Sequence, residues 1–269
     1  MEAFTNHSLF TDWRKCRVES APYLFPGDEF LVEPDYKKIV SVYRSFEEFI
    51  TSPKFGFISD KSLHLGLLPI PFVGNLQTAS IFVLMANPGL SPCDYFAEQN
   101  MARYREALIK NLQQDNADNE YPFISLDPKF SWHSGYTYWH RKLQGIAKTV
   151  EKLKGISARN TFSCLARELA ALELVPYHSK SFGVPGSVLK RLASSKAVLS
   201  YVHDILVPKA RINEALIIAA RSCGNWKLPD HENIIIYKGT EGRSAHLSLN
   251  SPGGIAIVNH LIFKILNRA

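Results

Sequence analysis

The sequence predicts an α/β fold of three layers, a mainly parallel central sheet of about four strands flanked by helices, with an N-terminal helical extension. Three observations carry this. Short continuous apolar runs near 79–85, 172–176, 215–220 and 234–237 have the length and composition of strands buried on both faces. Stretches with helical apolar spacing separate most of them, the alternation that lays helices over a parallel sheet. Asn87-Pro88-Gly89 closes the first run with turn chemistry.

Each element follows from local pattern. Residues 1–60 are aromatic-rich, and Ile39, Val42, Phe46 and Phe49 fall at helical spacing over Tyr36–Phe49. This segment reads as a helical extension packed on a core domain of residues 61–269. LGLLPIPFVGN, residues 65–75, reads as extended chain leading to a turn. Ala79–Met85 is the first strand. Ser91 suits a helix N-cap and Pro92 the first turn. The helix from Pro92 to about Gln114 carries Phe96, Met101, Tyr104 and Leu108 on its apolar stripe. A polar loop spans 115–135, followed by helices over about 137–153 and Thr161–Glu168. Leu172–Pro176 is the second strand, 185–206 is helical, and Ala215–Ala220 and Ile234–Tyr237 are the third and fourth strands. The polar loop Lys238–Gly254 leads into a closing helix, Ile255–Leu266.

Composition narrows the class. With 269 residues, 46% hydrophobic and 21% charged, the chain has ample apolar surface for a core, which excludes disordered, collagen-like and coiled-coil classes. The net charge of +6 is unevenly spread: residues 1–140 hold 12 Lys/Arg against 17 Asp/Glu (−5), residues 141–269 hold 19 against 8 (+11). A basic half suits a polyanionic partner or a solvated face, and charge alone weighs the two equally. The N-terminus lacks the pattern of a secretory signal, and no apolar run approaches the roughly 20 residues that span a bilayer. The cysteines, Cys16, Cys93, Cys164 and Cys223, lie 77, 71 and 59 residues apart, with no C-x-x-C pair. The expectation is a cytoplasmic monomer with reduced thiols, no metal, no cofactor and no membrane contact.

Ligands of a parallel sheet sit beyond the carboxyl ends of its strands. The loops there read Met85-Ala86-Asn87-Pro88-Gly89-Leu90-Ser91, then Glu173-Leu174-Val175-Pro176-Tyr177-His178-Ser179, then Arg243-Ser244-Ala245-His246-Leu247-Ser248-Leu249-Asn250-Ser251. Separately these are turns, surface histidines and a helix cap. Together they put an amide, a carboxylate, two imidazoles and several hydroxyls on one edge.

With Leu68–Gly74 as lead-in, Val83-Leu84-Met85-Ala86-Asn87-Pro88-Gly89 and Ala245-His246-Leu247-Ser248 resemble the motifs of the uracil-DNA glycosylase superfamily. Asn87-Pro88-Gly89 resembles the first motif of the mismatch-specific and thymine-DNA glycosylase branches, where Asn replaces Asp. Leu247 and Leu249 replace both prolines of the His-Pro-Ser-Pro motif. The resemblance covers roughly residues 65–265, and residues 1–60 have no counterpart in it.

The resemblance implies a DNA glycosylase that flips a base and hydrolyses its N-glycosidic bond. It implies Asn87 orienting the attacking water and His246 stabilising the departing base anion. Ser248, Asn250 and Ser251, with Gly89, Ser91, Lys180 and Arg243, would contact DNA, and Leu247 or Leu249 would wedge into the stack. Tyr95 or Phe96 would stack on the base, Phe96 being the better core candidate. Glu173 stands where the uracil branch reads its base with Asn. An ionised carboxylate accepts only, so it suits an exocyclic amine and a modified or damaged cytosine-type base, in repair or in defence against modified phage DNA. Otherwise Glu173 enters a salt bridge, and Tyr177 or His178 touches the base. The competing functions are a nucleic-acid-binding module without chemistry and a nucleoside or nucleotide N-glycosidase. Gly-x-Ser-x-Gly and the phosphate-binding Gly-x-x-x-x-Gly-Lys-Ser/Thr loop are absent.

Overall fold

A computed structural model describes residues 7–57, 60–239 and 245–266. The chain divides into two compact units: unit 1 is Met1–Phe72, Ala86–Asp115 and Glu173–Tyr201, and unit 2 is Val73–Met85, Asn116–Leu172 and Val202–Ala269.

The strands in chain order are β1 (Val40–Ser41), β2 (Leu63–His64), β3 (Phe72–Val73), β4 (Ile81–Met85), β5 (Leu169–Glu173), β6 (Leu216–Ala219) and β7 (Ile234–Ile236). β1 and β2 form a small parallel sheet in unit 1, pairing Val40 with Leu63 and Ser41 with His64. The other five form the central sheet in the order β3-β5-β4-β6-β7. β4, β6 and β7 run parallel, with Ile81 opposite Leu216 and Ile217 opposite Ile234. At the β3 edge Glu173 N donates to Pro71 O and Ile70 N to Pro176 O, an antiparallel sense that makes the sheet mixed. The sheet therefore has five strands where the apolar runs indicated about four. The extra strand is two residues long, too short to leave a period in the sequence. β4, β5 and β6 are buried at every residue, which is why β4 and β6 are continuously apolar and β5 is apolar up to its last residue, Glu173.

The helices are α1 (Ser8–Trp13), α2 (Phe46–Ile50), α3 (Pro92–Asn100), α4 (Ala102–Gln113), α5 (Ser134–Lys154), α6 (Ala158–Glu168), α7 (Gly186–Arg191), α8 (Ala193–Tyr201), α9 (Val207–Arg211), α10 (Cys223–Trp226) and α11 (Pro252–Leu266). Several depart from the sequence reading. Tyr36–Phe49 is not one helix: it holds β1 and, after a break, all but the last residue of α2, and residues 7–57 consist of short elements and turns. The helix expected from Pro92 to Gln114 breaks at Met101, whose ψ of 80° leaves helical space. The second strand starts at Leu169 and ends at Glu173, so Leu174–Pro176 belong to the loop. The helical stretch after Gly186 is interrupted at Leu192 and passes into a π-helix over Val202–Leu206.

In unit 1 one apolar cluster gathers Phe30, Leu31, Leu63, Leu65, Val175, Tyr177, Val188 and Leu192, and a second gathers Phe49, Leu67 and Tyr95. In unit 2, α11 packs on β6 and β7 and against α5, and α5 packs against α6, with Leu143, Ile146, Leu165 and Ile257 buried. Among the described residues no helix is long and apolar enough to cross a membrane.

Candidate active site

In unit 1, Asn87 lies two residues past β4, where the chain leaves the buried sheet edge. Its Nδ2 donates to Ser179 Oγ at 2.8 Å, Pro88 O at 2.8 Å and Tyr177 O at 3.4 Å. No hydrogen bond from a described residue reaches its Oδ1. A fixed amide N–H pair thus aims a carbonyl oxygen, an acceptor suited to a water O–H. The loop is tied down on both sides: Ser179 N donates to Pro88 O at 3.3 Å, and His178 Nδ1 lies 2.8 Å from Gly89 O. Gly89 is exposed, and Ser91 opens α3 in a capping box with Asp94, its N donating to Asp94 Oδ2 at 2.6 Å. Lys180 is exposed.

Glu173 is buried at the end of β5, with its backbone bonded to Pro71. Tyr177 is a core residue rather than a base contact: its hydroxyl donates to buried Asp28 at 2.7 Å and accepts from Phe25 N at 3.1 Å. Burial pushes the Asp28 carboxyl up, against hydrogen bonds from Ser194, Tyr177 and Ala193 that pull it down. Tyr95 is no stacking platform either. It is fully buried, stacked on Phe49 with its hydroxyl 3.1 Å from His64 Nδ1. Phe96 reverses its expected role as core, at 44% exposed and edge-on to Phe46.

Behind this loop is a partly buried polar chain with no counterpart in the motifs. His64 Nε2 lies 3.4 Å from Asp60 Oδ2, Ser62 Oγ donates to Asp60 Oδ1 at 2.8 Å, Ser41 Oγ donates to Ser62 Oγ at 3.0 Å, and Lys54 Nζ donates to Ser41 Oγ at 3.1 Å. Burial pushes His64 down to about 4, despite the neighbouring Asp60. Burial raises Asp60, but hydrogen bonds from Ser62 and His64 outweigh it and hold the carboxyl below its ordinary range. His64 N also donates to His178 O at 2.8 Å, so this chain anchors the loop that holds Asn87. Ser179 stands beside His178 in the sequence, whereas Lys54, Ser41, Ser62 and His64 carry no shared spacing that would reveal them.

In unit 2, the segment after β7 presents His246 exposed. Its backbone is gripped from below by the Tyr237 hydroxyl, which donates to His246 O. Lys142 Nζ on α5 donates to Ala245 O at 2.7 Å and lies 4.6 Å over the Tyr138 ring. Burial, then the Arg221 guanidinium, lowers Lys142 to about 8. Ala245 takes a φ of 47°, the left-handed turn that sends His246 outward. Leu247 is buried and cannot be a wedge, while Leu249 is 40% exposed and keeps that option. Ser248 and Asn250 are exposed. Ser251 is the N-cap of α11 rather than an open phosphate contact: its Oγ accepts from Gly254 N at 3.0 Å and donates to Ser248 O at 2.7 Å. Arg243 lies outside the described residues.

All four cysteines are free thiols, and among the described residues no cluster of His, Cys, Asp or Glu could hold a metal ion. No family model, no curated protein and no solved structure matches the chain.

Proposed function

We propose that the protein is a monofunctional DNA glycosylase of the uracil-DNA glycosylase type, acting on a flipped-out modified or damaged base, cytosine-type in preference to uracil. The observation that carries this is Asn87: its amide N–H groups are consumed by Ser179 and two backbone carbonyls, which leaves Oδ1 directed for a water. Strand order supports it. From β4 the chain goes to β5 on one side and β6 on the other, so the winding switches sides between β4 and β6, the position in open α/β sheets where ligands commonly bind.

In this reading the C1′–N bond breaks first, the base leaves as an anion, and water bonds to C1′ and gives up a proton, which through solvent neutralises the departed base anion. Asn87 orients that water but cannot take its proton, so turnover is slow. His246 donates to the base oxygen as charge develops. Glu173 accepts from an exocyclic amine.

The test incubates the protein with duplexes and single strands each carrying one modified base and with modified phage DNA, then cleaves abasic sites in alkali. Asn87→Ala and His246→Ala should each lower the rate on the order of a hundredfold, and Glu173→Gln should change base preference. No abasic product across the panel refutes the reading.

A further inference from the structure

An open pocket of about 90 Å³ lies beside the Asn87 loop, within unit 1. Phe49, Phe55, Phe57, Leu90 and Pro92 form its apolar walls, and Lys54 and Lys180 stand on its polar side. Phe55 is 42% exposed and Phe57 61%. One exposed ring needs no explanation, but these two share a pocket with two ammonium groups.

Phe55 is also braced. Phe49 is buried and stacks on Tyr95 with centroids 4.6 Å apart and planes at 23°, and Phe55 stands nearly perpendicular to Phe49 at 5.5 Å. A rigid platform loses little freedom when a ligand ring lies on it. Lys54 is held by Ser41 Oγ, so its charge is fixed in place. Asp60, which also borders the pocket, is engaged by Ser62 and His64.

Lysines are depleted at the cores of protein–protein interfaces, whereas aromatic faces bordered by cations are how unpaired bases and their phosphates are held. A duplex offers no free base face to stack. We propose that this pocket binds single-stranded DNA, with bases lying on Phe55 and Phe57 and phosphates drawn to Lys54 and Lys180. It rests on the glycosylase reading for the choice of DNA, and adds that the substrate strand is taken unpaired. Residues 49–57, which the motif resemblance does not reach, then supply part of the substrate site.

The experiment measures fluorescence anisotropy of labelled 15-nucleotide oligothymidylate, its duplex and oligouridylate with the full chain. The expected order places single-stranded DNA tightest. Phe55→Ala and Phe57→Ala should each weaken it on the order of tenfold, with Phe57→Trp restoring affinity. Lys54→Gln and Lys180→Gln should each reduce the slope of log affinity against log salt by about 0.7. Equal or tighter binding of duplex or of RNA, or single-strand binding indifferent to all four substitutions, overturns the proposal. If the expected sensitivities appear without any abasic product, the glycosylase reading fails while the single-strand site stands. If abasic product forms but the substitutions leave strand binding unchanged, the site alone fails.

Discussion

The His64 ring has no exposed surface, so protonating it in the folded chain means placing a charge where water cannot reach. Its affinity for a proton falls to about 4 in the fold and returns to an ordinary histidine value, about 6.5, on unfolding. The unfolded chain therefore binds the extra proton between those values. Stability is whole above about pH 6.5 and drains as pH falls toward 4, by about 3 kcal/mol at most. Urea denaturation at pH 7 and 4.5 checks this, and His64→Gln should flatten the difference while lowering stability at both. Asp60 shifts in the same direction but releases its contribution only at lower pH. Single side chains are where sequence pattern reads worst. Tyr95 and Phe96 are neighbours on α3, and either could face inward by composition. α3 turns Asp94, Tyr95, Ala97 and Glu98 in, and Phe96 out. Asn87 and His246 were visible as motif residues, but the Ser179 and Lys142 contacts that set their geometry come from elements far along the chain.

At the scale of elements, β4 and β6 were legible because full burial demands unbroken apolar sequence. β5 announced only its C-terminal half, since Ala170 and Ala171 bury little surface and look unremarkable. Boundaries set by backbone geometry without Gly or Pro stay silent, as at Met101 between α3 and α4. α11 shows the opposite case: Ser251-Pro252-Gly253-Gly254 writes its start plainly. Ser251 caps the first turn, and a Cβ on Gly254 would come within 1.9 Å of Ser248 O. Ser251→Ala should cost about 1 kcal/mol through the lost cap, read as a lowered thermal midpoint. Gly254→Ala should cost more, because backbone must move to admit the methyl group.

For the whole molecule, the charge split remains the broadest functional signal. A chain acting on a polymer must release condensed counterions, whereas one hydrolysing a free nucleoside need not. Raising salt from about 50 to 200 mM should weaken DNA binding by orders of magnitude, with only mild change in any turnover of nucleosides, measured side by side. A nearly flat salt response would favour the nucleoside hydrolase. The interleaving of the two units has a consequence for synthesis. Each draws on three separate stretches, and unit 2 still needs residues after Val202 when unit 1 has received its last. Unit 1 therefore has all its residues once Tyr201 is made, whereas unit 2 waits for the end of the chain: β6 and β7 are the last strands to emerge, and β4 waits without its β6 neighbour through about half of translation. Truncation at any single point leaves at least one unit incomplete, so fragments meant to isolate either one need circular permutation or excision rather than a cut.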